Sequence, residues 1–253
     1  MIKLQNLSKQ FGAFTAVDDV SIEVEPGTIF AFLGTNGAGK TTTIRMLTGV
    51  LKPSSGTAEI GGYDIQKNPV EAKFLMGIIP DRPYLYGKLT GREFLCFMAD
   101  LYKVKPKHAA VRIQELLELY GLAEWQNDLI DSYSHGMKQR LLMCASQVHE
   151  PPVLVIDEPM VGLDPRGARL LKDTLRNYAK SGLTIFMSTH SLSVAEEIAD
   201  KLAIIRSGKI VAMGTLDELY SKAKSDAPDL EKVFLDILAE ADKPNAELQS
   251  LID

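Results

Sequence analysis

Eight consecutive residues, Gly34-Thr35-Asn36-Gly37-Ala38-Gly39-Lys40-Thr41, carry the spacing G-x-x-x-x-G-K-[ST]. Those types in that order suit one task, holding a chain of phosphates. Glycines let the backbone curl until successive N–H groups point inward at an anion. Lys40 adds a full positive charge, and the helix opened by the motif adds a partial one at its N-terminus. The Thr41 hydroxyl can ligate Mg²⁺, and Thr42 extends the run of groups available to the phosphates. By itself the motif does not choose among ATPases, GTPases, small-molecule kinases and helicases.

Two further sets of residues narrow the chemistry. The apolar run Val153-Leu154-Val155-Ile156 ends in Asp157-Glu158-Pro159. An acid at the tip of a buried strand can hold Mg²⁺, often through water, and a second acid beside it can polarise an attacking water as general base. Two carboxylates can also simply cap a solvated strand end. His190 follows another apolar strand, Ile185-Phe186-Met187, in the sequence Ser188-Thr189-His190. A lone histidine there is ordinarily structural. Its place at a third strand tip, where such sheets bind ligands, favours contact with a terminal phosphate.

The elements that position these groups are legible as patterns. The first 25 residues alternate as β-strands, with Phe11-Gly12 breaking them into a hairpin. Ile29 to Leu33 is apolar without alternation, as expected of a strand buried on both faces, and a helix from Lys40 to about Thr48 stops at Gly49. A turn at Pro53–Gly56 precedes a strand to Ile60. From about Pro83 to Pro151 the periodicity becomes helical, with Val111, Ile113, Leu116, Leu117 and Tyr120 on one face and Gly121 as C-cap. Strands resume at Val153–Ile156, Thr184–Ser188 and Leu202–Ile205, with a helix from Pro165 to Tyr178 between the first two. Strands alternating with helices predict a largely parallel α/β sheet interrupted by a helical lobe. The division expected is a core of residues 1–82 and 152–220, a lobe of 83–151 and a tail of 221–253. In the tail, Leu230, Val233, Phe234, Ile237 and Leu238 form one helical face, expected to pack on the protein's own body.

Composition excludes some roles. A net charge of −5 and a pI near 5.5 argue against a broad nucleic-acid face. No apolar run approaches the roughly 20 residues of a membrane-spanning helix, so any action at a membrane calls for a separate spanning chain. The two cysteines, Cys96 and Cys144, lie in apolar stretches and are expected to be buried, reduced thiols of a cytosolic protein.

With these residues in hand, the sequence resembles the ABC ATPase family over about residues 1–220. The resemblance implies an α/β fold with a P-loop NTPase (RecA-like) core, an N-terminal antiparallel β-subdomain and an inserted α-helical lobe. It implies that Phe11 stacks on adenine, that Asp157 holds Mg²⁺, that Glu158 is the catalytic base and His190 the switch histidine. Gly162-Leu163-Asp164 is similar to the family's loop across the dimer interface. Ser132-Tyr133-Ser134-His135-Gly136-Met137-Lys138-Gln139-Arg140 resembles the family signature in a variant form. Physically, Ser134 and Gly136 can open a helix whose N-terminus is an anion site, supported by an apolar face of Met137, Leu141, Ala145 and Val148. In the family this site binds the γ-phosphate held by the other subunit, so that two ATP molecules lie between head-to-tail cassettes.

Three positions depart from the family pattern. His135 replaces the first signature glycine, Met137 the glutamine, and Asp81 the glutamine that senses Mg²⁺ and water. Asp81 can ligate the cation but is shorter and charged, which makes slower or more Mg²⁺-dependent hydrolysis an expectation. His135, if it sits near phosphate at the interface, is expected to tighten the clamp at mildly acidic pH. Arg82-Pro83-Tyr84-Leu85-Tyr86 offers aromatics for a partner helix. The whole looks most like cassettes of ABC-2 type bacterial efflux systems. That resemblance implies ATP and Mg²⁺ as ligands, a homodimer or paired cassette, a separate transmembrane permease, no nucleic acid, and a cytoplasmic place on the inner face of the cell membrane. A soluble ABC ATPase of an assembly or repair machine is the alternative, and a regulator without turnover a third reading.

Overall fold

Alternation at the N-terminus becomes a hairpin. In the computed structural model, which describes residues 1–81, 84–222 and 229–241, β1 (Ile2–Phe11) and β2 (Phe14–Val24) run antiparallel, turning at Gly12 and Ala13. Ile2, Leu4 and Leu7 face inward with Val20, Ile22 and Val24, while residues between them meet solvent. That period of two leaves one face of the sheet wet and the other in a core. Before the sheet is complete, the chain crosses to a second one through β3 (Ile29–Leu33) and α1 (Lys40–Leu47). It returns with β4 (Ser55–Ile60) and β5 (Tyr63–Asp64), giving four strands in the order β2-β1-β4-β5.

The second sheet takes the remaining strands: β6 (Met76–Ile79), β7 (Val153–Asp157), β8 (Thr184–Thr189), β9 (Lys201–Arg206) and β10 (Lys209–Gly214). Its order is β10-β9-β3-β8-β7-β6, parallel from β9 to β6, with β10 antiparallel at one edge. β3 lies inside it, which explains its unbroken apolar run. Ile29, Ala31 and Leu33 face the hydrophobic core shared with the helical lobe, and Phe30 and Phe32 face the core shared with α1 and the antiparallel sheet. Phe186 of β8 joins that second core, its ring centroid 5.5 Å from Phe30 and 5.7 Å from Phe32.

Helices cover the sheet: α2 (Pro69–Phe74) before β6, then α3 (Gly91–Leu101), α4 (Pro106–Leu119) and α5 (His135–Gln147) between β6 and β7. α6 (Pro165–Lys180), α7 (Leu192–Ile198), α8 (Leu216–Lys222) and α9 (Leu230–Ala241) follow. Their ends are set locally. Thr90 and Glu93 form a reciprocal capping box on α3, Pro106 sits at the start of α4, and Ser134 and Asp164 cap α5 and α6 through their side chains. Gly121, at φ +63°, ends α4 one residue beyond its cap.

Two expectations require correction. Val111 is 59% exposed, so α4 packs through Ala109, Ile113, Leu116 and Leu117 instead; position 111 lies about 200° from 113 on a helix, on the far face. Cys96 is exposed on α3, whereas Cys144 is buried on α5, where the low dielectric raises its thiol far above the usual range. The apolar face of α9 does pack on the body: Leu230, Val233 and Phe234 are in the core, with Ile237 and Leu238 against it. Arg82 and Pro83, and the tail residues 223–228 and 242–253, lie outside the described residues. Among the described residues no helix is long and apolar enough to cross a membrane.

Candidate functional site

Residues 34–39 join β3 to α1, and the loop closes on itself and its surroundings. Ala38 N–H donates to Thr35 O, and Gly208 N–H donates to Ala38 O. Gly39 is required at the helix start: its φ is +112°, and a Cβ there would lie 2.7 Å from Ala16 O on β2. Lys40 is buried, its ammonium donating to Gly34 O at 2.7 Å and Thr35 O at 3.2 Å. The charge thus sits inside the loop's own concavity, with Glu158 Oε1 at 3.5 Å.

Sheet order brings the other groups to the same end. β3, β8 and β7 are neighbours and parallel, so their C-terminal tips deliver the loop at Gly34, then His190, then Asp157 and Glu158. Asp157 is 2% exposed and faces Ser188 across the β7–β8 register, and the Ser188 hydroxyl donates to its Oδ1. Burial raises the Asp157 carboxyl above its ordinary range; hydrogen bonds from Ser188 and Thr41 oppose the rise, and the charges of Asp81 and Glu158 add to it. Asp81, just beyond β6, therefore stands within electrostatic reach of Asp157, and Thr41 within hydrogen-bonding reach. Such a cluster of negative charge with a hydroxyl fits a divalent cation. Among the described residues no three His, Cys, Asp or Glu side chains form a metal site on their own, so phosphate oxygens or waters would have to complete the shell.

Glu158 has φ +54°, the left-handed region that residues with a Cβ rarely enter. Its N–H is shared between Ser188 O and Ser188 Oγ, each at 3.2 Å, which holds the turn in place. The turned backbone aims the side chain across the strand tips, and Oε2 meets His190 Nδ1 at 2.9 Å. Glu158 is largely enclosed, whereas His190 is exposed on its outer side. Ser188 carries a sequence signal only in hindsight of this contact: a small hydroxyl near the end of an apolar strand, directly before Thr189-His190.

Phe11 ends β1 opposite Phe14, both rings exposed, with Lys9 Nζ 5.2 Å from the Phe11 centroid. Ala16 of β2, two residues after Phe14, abuts Gly39 of the phosphate loop. Asn36 and Gly37 are exposed at the loop crest, and Thr42 is half-buried on α1.

The helix tip at Ser134 stands apart from all this. Ser134 Oγ accepts from Met137 N–H, capping α5, and both Ser134 and His135 are exposed. Together with Gly136, Gly162, Asp164 and Arg166 it lines a cleft of about 470 Å³ to which no residue of the phosphate loop contributes. The His135 ring lies against Gly162 of its own chain. The structure thus assembles the loop, the paired acids and His190 in one place, and leaves the capped tip with Ser134 and Gly136 facing outward elsewhere.

This geometry has close parallels. Residues 17–161 match the family model described as ABC transporter. The chain is 41% identical over 223 residues to the bacitracin transport ATP-binding protein BcrA of Bacillus licheniformis, covering 88% of this chain and 72% of that protein. It is 36% identical over 226 residues to the linearmycin resistance ATP-binding protein LnrL of Bacillus subtilis (strain 168), covering 89% and 73%. A solved ATP-binding subunit of an ABC transporter superposes with a TM-score of 0.89 at 31% identity, over 94% of this chain and 99% of that one. A phosphate-gripping loop, an acid pair at a neighbouring strand tip and a capped signature helix thus meet a match across most of the chain, and the protein belongs to the ABC transporter family as one of its ATP-binding, ATP-hydrolysing cassettes.

Proposed function

We propose that this cassette hydrolyses ATP between two copies of itself, or between itself and a paired cassette, and thereby drives an exporter whose membrane-spanning part is a separate chain. The observation that carries the reading is the separation of two anion-binding halves within one chain. Lys40 and the loop amides form one half, and the helix tip capped by Ser134 forms the other, facing away. A second cassette placed head to tail supplies the missing half to each site, and neither chain completes one alone.

In that sandwich the P-loop from Gly34 to Thr42 holds the phosphates, and Phe11 stacks on the adenine. Ser134 and Gly136 of the opposite chain meet the γ-phosphate through the α5 N-terminus. Thr41, Asp157 and Asp81 are the residues that would hold Mg²⁺, whose charge there offsets that of the phosphates. Glu158 accepts the proton of the attacking water, and His190, now its hydrogen-bond partner, fixes the direction of that carboxylate and reaches the γ-phosphate. Lys40 exchanges Gly34 O and Thr35 O for phosphate oxygens.

The lobe of residues 83–151 is the side that meets the membrane partner. Tyr84, Tyr86 and Phe97 are exposed there, and Tyr86 lies edge-on to Phe97 at 5.7 Å beside a shallow apolar recess with Leu89. Bacitracin transport and linearmycin resistance are the roles named for two relatives, and they support an export role for this cassette. The cassette then sits on the cytoplasmic face of the membrane, held by that partner.

Specific ATPase activity measured against protein concentration tests the core of the reading. Activity per subunit should fall on dilution below the dimerisation constant. A rate per subunit that stays constant at every dilution overturns it.

A further inference from the structure

We infer that His135 is a positioning residue that locks the Ser134 helix tip to the Gly162 loop of the same chain, so that both reach the second cassette as one rigid surface. The inference rests on the two-cassette reading above, and adds a tie within each chain. A methyl group at Gly162 would lie 2.1 Å from His135 Cδ2 and 2.2 Å from Nε2, so the imidazole edge fills the space a side chain would take. Gly162 is at φ +80°, a conformation that also disfavours a Cβ. Its glycine backbone therefore serves as a seat for the ring.

The seat joins two different parts of the molecule. His135 is the first residue of α5, in the helical lobe, directly after the Ser134 cap. Gly162 lies between β7 and α6, in the turn that begins at Glu158, where Val161 N–H donates to Glu158 O and Leu163 N–H to Met160 O. The tip that would bind a phosphate of the opposite chain is thereby in contact with the loop leading from the acid proposed to activate water. Gly136 is close by as well: a Cβ there would lie 3.8 Å from Gly162 O. The ring contributes through shape and contact.

Four proteins in a Glu158→Gln background test this: the background itself, and with His135→Ala, His135→Phe or His135→Gly added. ATP-dependent dimerisation is followed by sedimentation velocity at pH 7.5 and 6.0, and nucleotide affinity of the dilute single chain by equilibrium dialysis. Loss of the ring should weaken the ATP-bound dimer about tenfold, the scale of one lost side-chain contact, with single-chain ATP affinity unchanged. His135→Phe, which keeps a flat ring, should restore dimerisation, with no pH dependence distinguishing it from the background. Amide exchange at residues 161–163 should be faster in His135→Ala and His135→Gly and restored in His135→Phe. Equal dimerisation by all four overturns the proposal, as does failure of His135→Phe to restore it, or tightening at pH 6.0 that only the histidine protein shows. If the Glu158→Gln background itself never dimerises with ATP, the two-cassette reading falls and the tie loses its purpose with it.

Discussion

His190 Nδ1 stands 2.9 Å from Glu158 Oε2. The pair forms because β7 and β8 are adjacent parallel strands with Asp157 opposite Ser188; one residue further on β7 and two on β8 bring carboxylate and imidazole together above the sheet. The other oxygen of the same carboxylate faces Lys40 Nζ at 3.5 Å, so one acid is in contact with both the cation of the phosphate loop and the imidazole.

Glu158→Gln should abolish turnover while sparing nucleotide binding. The amide keeps the shape of the side chain and its bond to His190, but has no basic oxygen able to take a proton. Steady-state phosphate release should fall by about 10²–10⁴, the range ascribed to a positioned general base. ATP should accumulate on a dimer detectable by size exclusion. Equal phosphate release by variant and wild type would remove Glu158 from the role of base.

Lys40→Ala should act on binding instead. It removes the ammonium that now donates to Gly34 O and Thr35 O and leaves Glu158 without its cationic neighbour. Charge-assisted hydrogen bonds contribute about 1.5–3 kcal/mol, so ATP affinity should fall by about 10- to 100-fold. Calorimetric titration of ATP into the dilute chain measures this, and an unchanged dissociation constant would contradict the placement.

Asp157→Asn separates stability from cation use. Burial, with Asp81 and Glu158 nearby, raises the carboxyl's pKa in the folded protein. A raised acid pKa means the folded chain binds that proton more readily than the unfolded one, so ionisation at neutral pH weakens the fold. The uncharged amide removes that penalty and can still accept from Ser188. The nucleotide-free variant should melt no lower than wild type, whereas the Mg²⁺ concentration for half-maximal ATPase should rise about tenfold or more. A variant that melts well below wild type would contradict this account.

His149 gives the chain a pH-dependent stability far from the strand tips. Its ring stacks on Tyr102 at 3.6 Å, faces Met76 O through Nε2, and leaves Nδ1 buried without a partner. Burial lowers its pKa from 6.5 to about 4. Between those values the unfolded chain binds a proton that the folded chain does not. The contribution is therefore complete above pH 6.5 and is lost as pH falls toward 4. After allowance for partial solvent access, the loss is on the order of 2 kcal/mol. Urea unfolding of wild type and His149→Gln at pH 7 and 5 checks the sign: wild type should lose more stability on acidification than the variant.

Much of this molecule was written along the chain. The P-loop, the apolar strands before Asp157 and His190, the first hairpin and the cap at Ser134 are local patterns, because each depends on residues a few positions apart. Short elements were less legible. β6 has only Met76–Ile79 before Pro80, and β10 has a half-exposed, irregular pattern, so neither length nor periodicity set it apart from loop. Val111 faces solvent, since apolar character alone does not say which side of α4 finds a partner. The same holds for the exposed Cys96 on α3.

Residue types and their order along the chain were enough to establish what the protein grips and which acids stand near it, since backbone amides, a lysine and paired carboxylates have few other joint uses. Only the folded sheet decided who touches whom. Strand order placed Glu158 against both His190 and Lys40 and set Ser188 on Asp157, and the packing of α5 beside the turn after β7 seated His135 on Gly162. These contacts join residues up to 118 positions apart in the case of Lys40 and Glu158, and such distances are closed by the burial of β3 among its neighbours, a property of the assembled core that no local window of sequence contains.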